Sequence, residues 1–442
     1  MKYIKKIPFA VNALIFIITL YLNSLCQLDT KKWEIFSDVK DYLHQSTLSL
    51  GSKDFYAGKP EPNYYPRPFT VPLFYKLAGS KGESIVKMQK FMHSLAAFVL
   101  VYALLLALKT GLVRYLAIFL IYFLMSWWNI LGWTTQLLSE SLSLSFLFLW
   151  IGTFLIYCYK RTPWFLVIHC LITILFSFTR DSWPYILLLY YILIVIIFWL
   201  WNKPLLKGAV IMLILSVAIF FIQDRCSAIG ERTKLPLVNT ILLRILPERD
   251  NFNWFVIKGM PMAGTIKQRF TGIDINTEGG LYKVWGTYWD LEYKPFRDWA
   301  AGPGKRLYMR FLITHPAYSL LLREPKEKLK RIISINLEYG SAINGYSVYT
   351  EFFLPLFSPI LLLIDVILLL WIFIKSRNST FLLPVVMVIV FLFNVLLLYN
   401  ADALEVGRHM FVNMVMVQLL SIWSLCLVFD EVIQKTSFSG KE

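Results

Sequence analysis

The sequence predicts an all-α polytopic membrane protein of about ten transmembrane helices with two long outer loops, and three observations predict it. Apolar residues make up 57% of the 442 and gather in blocks of about 18–24, the length that crosses a bilayer core. The short connections between alternate blocks carry Lys and Arg without Asp or Glu. Two long segments, about 28–87 and about 223–351, mix charges of both signs with Gly, Pro and many aromatics. An ordinary soluble domain is only about 45–50% apolar.

The length rule places helices near 7–27, 88–108, 114–132, 137–158, 164–179, 183–201, 206–222, 352–374, 380–399 and 409–429. The first follows Met1-Lys-Tyr-Ile-Lys-Lys6, and its apolar run is too long for a usual signal peptide, so it is expected to stay as a signal anchor. With the N-terminus inside, the inner connections hold Lys109 and Arg114, Lys160 and Arg161, Lys203 and Lys207, and Lys375 and Arg377. This is the positive-inside pattern. An even helix count also puts Lys435 and Lys441, and so both termini, in the cytoplasm of a cell with the long segments outside. Three regions follow: a helical module over 1–222 that includes the first outer loop at 28–87, an extracytoplasmic region over 223–351, and closing helices over 352–442. Residues 305–335 interleave Leu and Ile with basic residues and are expected to form surface helices lying in the membrane interface.

The formal charge of +16 is accounted for by these orienting Lys and Arg residues, and no nucleic-acid-binding motif accompanies it. The five cysteines form no CxxC pair, which argues against zinc and redox motifs. Most of them fall in apolar stretches, whereas Cys26 and Cys226 lie near segment edges, where either a bridge or free thiols would fit. No internal repeat is visible, which weighs against transporters built from inverted repeats.

The polar residues that stand out are few. In the first long segment Asp38 and Tyr42 share a helical face, and Asp41 lies three residues from Asp38, close enough for two carboxylates to perturb each other. A solvated amphipathic turn is the plain alternative. The same segment ends Tyr64-Tyr65-Pro66-Arg67-Pro68-Phe69-Thr70-Val71-Pro72-Leu73. Glu140, in Ser139-Glu140-Ser141, stands at the mouth of an apolar helix, where the helix dipole also favours a carboxylate. Arg180-Asp181 follows the fifth helix, Glu405, Arg408 and His409 precede the last, and His315-Pro316 lies in the second segment. Ionisable residues at membrane depth are costly and tend to mark a site when they converge. His93 and His169 lie inside helices and are expected to be packed there. His44 is placed to support Asp38, and Asp365 is the plainest charge deep in a helix.

An S-D-x-x-x-Y start and an R-P-x-x-x-P-L end to the first outer loop resemble the membrane-embedded glycosyltransferases of the GT-C superfamily. That group includes protein O-mannosyltransferases, aminoarabinose transferases and oligosaccharyltransferase catalytic subunits. The Ser139-Glu140-Ser141 helix start, the arginine turn at Arg180, the arginine at 408 and Thr314-His315-Pro316-Ala-Tyr318 follow in matching order over nearly the whole chain. The resemblance implies a polyprenyl-phosphate-linked sugar as donor and a catalytic carboxylate in the first outer loop, Asp38 first and Asp41 second. Arg67, Arg180, Arg408 and His409 would bind the donor phosphate, since an arginine fork grips phosphate oxygens in pairs. Tyr42, Glu140, Asp181, Glu405 and His315 would support them.

The expected activity is sugar transfer to an extracytoplasmic glycan, lipid or protein, with the lipid bilayer as a partner and no role for nucleic acid. One carboxylate without a covalent intermediate implies inversion. The cofactor is open: carboxylates at Asp38 with Asp41 or Glu140 suit a divalent metal, but no ligand spacing demands one. Two other readings stand beside it. An O-antigen-type polymerase or ligase would depend on later residues such as His315 or His409. A lipid or solute transporter would use charges within helices, of which Asp365 is the example.

Overall fold

The structure is a computed structural model and describes residues 7–25, 37–61, 64–126, 128–232, 234–272, 290–320, 359–376, 378–401 and 406–439. Among these residues it is all α, apart from one isolated antiparallel bridge between Glu61 and Tyr64. An apolar helix stands at each expected span: α1 (Ile7–Leu25), α5 (Gly82–Ala107), α6 (Gly111–Ser126), α8 (Ser139–Lys160), α9 (Pro163–Ser177), α10 (Trp183–Trp201) and α11 (Lys203–Ile229). Near the C-terminus come α18 (Pro359–Ser376), α19 (Leu382–Ala401) and α20 (Val406–Ser439). Six stretches among the described residues are long and apolar enough to cross a membrane: 82–107, 139–160, 183–201, 203–229, 379–401 and 409–436. This is a multi-pass membrane protein by that measure.

The starts of these helices follow local rules. Pro163, Pro184 and Pro204 sit in the first turns of α9, α10 and α11, where a missing N–H costs nothing. Arg161 takes φ 54° to cap α8 in the left-handed region and turn the chain into α9. Asp430 on α20 accepts from the backbone N–H of Lys109 at 3.0 Å and of Thr110 at 2.7 Å, capping the start of α6 from a distant part of the chain.

The bundle is built around α8, in which every residue from Ser139 to Tyr157 is buried. A helix that is apolar all round belongs in the centre. It packs along α5 and α9, while α10 packs along α11 and α19, and α20 along α18 and α19. Lipid tails are as apolar as Leu, so small residues and interhelical hydrogen bonds do the holding. Gly152 allows the α5–α8 approach: a Cβ there would lie 3.2 Å from the Leu100 backbone. Asn12 joins α1 to α5 and α6 by donating to the Phe98 carbonyl at 3.2 Å and accepting from the Tyr122 hydroxyl at 2.9 Å. His169 bonds Thr153 at 2.9 Å and the Tyr191 hydroxyl at 2.7 Å, and that hydroxyl accepts from Trp150 Nε1 at 2.8 Å. His93 bonds the Met125 carbonyl at 2.9 Å. Both histidines are thus packed within the bundle.

The first long segment packs into the bundle's core, through residues such as Val39, Val71 and Tyr75, whereas the second has a core of its own. The first holds α2 (Ser37–Thr47), α3 (Lys53–Ala57) and α4 (Thr70–Leu77), with α2 packed on α4. Lys76 donates to the carbonyls of Ser46 (3.2 Å) and Leu48 (2.9 Å), closing the end of α2. Thr70 N–H donates to the Phe178 carbonyl at 3.1 Å, and the Phe69 and Phe178 rings lie 4.5 Å apart, which ties this segment to the α9–α10 turn. A short helix α7 (Trp128–Trp133) precedes α8.

The second segment contains α12 (Lys234–Thr240), α13 (Arg249–Ile257), α14 (Ala263–Phe270), α15 (Lys294–Trp299), α16 (Lys305–Thr314) and α17 (Pro316–Ser319). These share their own apolar core, including Val238, Ile245, Phe255, Phe296 and Phe311. The core is fixed to the end of α19 by Tyr308 donating to the Asn400 carbonyl at 2.6 Å and Asn400 donating to Ser319 at 3.0 Å. Over 305–335, α16 and α17 are helical, and 321–335 lie outside the described residues.

Candidate active site

The first long segment and the adjoining helix ends build one buried polar seam. On α2, Asp38, Asp41, Tyr42 and Gln45 follow a three- and four-residue spacing and so share a face. That face turns inward: Asp38 and Asp41 are each only 7% exposed. Arg67 comes to meet them from an extended stretch between Pro66 and Pro68, where the proline ring biases the preceding residue away from helix. Gln45 fixes the Arg67 backbone from both sides, accepting its N–H at 2.9 Å and donating to its carbonyl at 2.9 Å.

The guanidinium is then gripped by both carboxylates. Nη2 donates to Asp38 Oδ1 at 2.5 Å and to Asp41 Oδ2 at 2.7 Å, and Nε donates to Asp41 Oδ2 at 3.1 Å. Asp41 Oδ1 accepts the Tyr65 N–H at 3.0 Å. The rings of Tyr42 and Tyr65 lie 5.7 and 5.5 Å from the Arg67 guanidinium carbon, within cation–π range. Burial raises the Asp41 carboxyl above the ordinary aspartate value, and Arg67 and the Tyr65 N–H only partly oppose it. Asp41 therefore takes up its proton at a higher pH than a solvated aspartate does. For Arg67, burial works against the charged form, but the two aspartates outweigh it and hold the guanidinium above its usual value.

Tyr42 links this group to a second one. Its phenol is pushed up to about 12, first by burial and then by Asp38 and Glu140, while Arg67 and a bond to Ser139 pull it down. Glu140, in the first turn of α8, is fully buried and lies 3.4 Å from Arg180 Nη2. Arg180 comes from the turn between α9 and α10 and also donates to His409 on α20, through Nη2 to Nδ1 and through Nη1 to the carbonyl at 3.4 Å. Three carboxylates thus face two guanidiniums and a histidine, drawn from α2, the Pro66–Pro68 stretch, α8, the α9–α10 turn and α20.

Other expected residues lie elsewhere. Asp181 points away from Arg180's partners, accepting from Gln223 and pairing with Arg232 Nε at 3.0 Å. His315 stacks on Phe311 at 4.2 Å and lies edge-on to Trp254 at 5.8 Å, inside the second segment's core. His44 packs on Tyr64 at 4.6 Å. Glu405 is outside the described residues; Arg408 stands in the first turn of α20 with its side chain outside the description. The pairing considered for Cys26 also falls outside, and Cys226 has no disulfide partner among the described residues.

Two residues were not read from the sequence. Gln45 carried a signal, since it continues the Asp38–Asp41 face by one turn; Arg232 carried none.

Among the described residues no group of three or more His, Cys, Asp or Glu side chains is placed to hold a metal ion. A divalent ion bridging Asp38 and Asp41 would have to displace Arg67 Nη2, which lies between them.

Chemically, the seam offers a buried carboxylate held on a rigid arginine, next to a second cationic group at the mouth of the central helix. Such a pairing can accept a proton on one side and stabilise developing anionic charge on the other. No family model, curated protein or solved structure matches the chain.

Proposed function

We propose that the chain is an integral membrane glycosyltransferase that moves a sugar from a polyprenyl-phosphate donor to an acceptor outside the cytoplasm. The convergence of Asp38, Asp41, Arg67, Tyr42, Glu140, Arg180 and His409 into one buried seam carries this reading. In it, ten helices span the cell membrane, both termini are cytoplasmic, and the seam opens at the outer leaflet, where a lipid-linked sugar presents its phosphate. The first-loop motifs resembling the GT-C superfamily point the same way.

The chemistry follows from the residues. Asp38 takes the proton from the acceptor hydroxyl as its oxygen bonds to the anomeric carbon. The bond from that carbon to the phosphate oxygen breaks, and the polyprenyl phosphate leaves with the electron pair. Arg180 and His409, with Arg408, stabilise the phosphate. Arg67 holds both aspartates in position, and Asp41 fixes Arg67 in turn. Attack opposite the leaving group, without a covalent sugar intermediate, gives inversion.

Proteoliposomes carrying the full chain and a radiolabelled polyprenyl-phosphate sugar test the proposal. Incubation with an envelope-glycan fraction should move the label into a product that no longer extracts with lipid, releasing one polyprenyl phosphate per sugar transferred. Label that crosses the bilayer on its intact lipid carrier, with no new glycosidic bond, would replace this reading with a transporter.

A further inference from the structure

Beside the seam lies a guanidinium that the transfer chemistry above does not use. Arg232 is 5% exposed, and its backbone N–H is anchored to the Ser227 carbonyl at 3.0 Å just past the end of α11. The stretch from Tyr64 to Pro66 clasps this region. The Tyr65 hydroxyl donates to the Glu231 carbonyl at 2.8 Å, and Gly230 is so close that a Cβ there would meet Pro66 at 3.1 Å and the Arg232 stem at 3.3 Å. Arg232 therefore stands immediately behind the loop that delivers Arg67.

Its closest approach to Asp181 is Nε to Oδ1 at 3.0 Å, an ion-pair contact in which Nε makes no hydrogen bond. An arginine fully committed to a carboxylate uses two parallel N–H groups. Here Nε, Nη1 and Nη2 are all buried and none has a hydrogen-bond acceptor among the described residues. The Tyr64 hydroxyl, on the same Tyr64–Pro66 stretch, is also buried without a partner there; burial, then Asp41 and Asp54, raise its phenol, and Arg232 and Arg67 oppose them. Buried donors of this kind nearly always have an acceptor, and a buried guanidinium especially so. Asp181, 3.0 Å from Nε, has a 43% exposed side chain.

We infer that Arg232 and the Tyr64 hydroxyl form an oxyanion subsite that takes a phosphate or carboxylate group carried by the sugar acceptor. A planar fork with two unused N–H donors matches two oxygens of such a group, and a phenol supplies a third donor. The subsite is separate from the donor phosphate's place. Arg180 turns to Glu140 and His409, whereas its neighbour Asp181 turns to Arg232. The assignment to the acceptor rests on the transferase reading; the binding of an oxyanion does not. It implies that acidic or phosphorylated acceptors are preferred over neutral ones of the same shape.

Thermal unfolding of the purified full chain in detergent, titrated with inorganic phosphate, tests this. A ligand that binds only the folded state raises the midpoint with concentration. The wild type should show that rise. Arg232→Gln should abolish it, and Tyr64→Phe, which removes only the hydroxyl, should weaken phosphate affinity about tenfold. A short-chain polyprenyl phosphate, added as competitor, should leave the phosphate response in place. Equal responses in wild type and Arg232→Gln, or no response in wild type, would overturn the subsite. Displacement of phosphate by the polyprenyl phosphate would assign it to the donor and overturn the acceptor claim. An Arg232-dependent response in a chain that transfers no sugar would leave the subsite standing and remove the transferase reading instead.

Discussion

Asp38→Asn should lower sugar transfer by about 10²–10⁴-fold while leaving expression and membrane insertion unchanged. This range is what a positioned general base contributes, equivalent to roughly 3–5 kcal/mol of the barrier. Asn keeps the size of the side chain and can still meet Arg67, whose Nε and Nη2 remain on Asp41. The loss should therefore fall on turnover rather than on folding. Asp41→Asn separates the roles. Asp41 accepts from the Tyr65 N–H and twice from Arg67, so its replacement loosens the loop that presents the guanidinium. Its effect should appear in thermal stability and donor affinity as well as in rate. Single-turnover transfer measured beside the melting midpoint distinguishes the two. Full activity in a well-expressed Asp38→Asn protein would remove Asp38 as the base.

Arg180→Gln should be the most destabilising change in the seam. Glu140 is fully buried, Arg180 is 9% exposed, and they approach to 3.4 Å. Removing one member of a buried pair strands the other charge, at a cost of about 3–5 kcal/mol. Replacing both is expected to cost far less, because no charge is left without its counterpart. The double variant Glu140→Gln/Arg180→Gln should thus recover much of the stability that Arg180→Gln loses, a strong non-additivity that denaturation in detergent can read. Recovery of stability without recovery of transfer is the expected combination, since Arg180 is also assigned to the leaving phosphate. Strictly additive losses would mean that the two groups do not depend on each other.

The helical framework was legible because a bilayer imposes a length, and apolar runs of that length are hard to miss. The ends were less so. α5 begins at Gly82 and α11 continues to Ile229, beyond the expected 88–108 and 206–222. Hydropathy reports where lipid ends; helices go on into polar sequence such as Gln223-Asp224-Arg225 when the backbone stays paired. Asp38, Asp41 and Tyr42 could be found because helical spacing already puts them on one face. Glu140, Arg180 and His409 could be found because a charge at the mouth of an apolar helix stands out.

What could not be found depends on tertiary placement. Nothing in the sequence says that Gln45 binds the backbone of Arg67, that Asp181 turns from its neighbour towards Arg232, or that His315 packs into a separate aromatic core. Arg67 is the most instructive case. An arginine beside proline at a membrane face suggests a phosphate ligand, yet two aspartates one helical turn apart claim the guanidinium first.

In the proposed reading, the seam meets a lipid-borne sugar on the outer side of the cell membrane. The most direct measurement is cysteine labelling in intact cells, in a chain whose five native cysteines have been replaced. Lys53→Cys, exposed on α3 between the aspartates and Arg67, should react with a membrane-impermeant maleimide added from outside. Lys375→Cys, exposed at the end of α18, should react only after the membrane is opened. Labelling of position 375 from outside, with position 53 protected until permeabilisation, would put the seam in the cytosol and contradict the account.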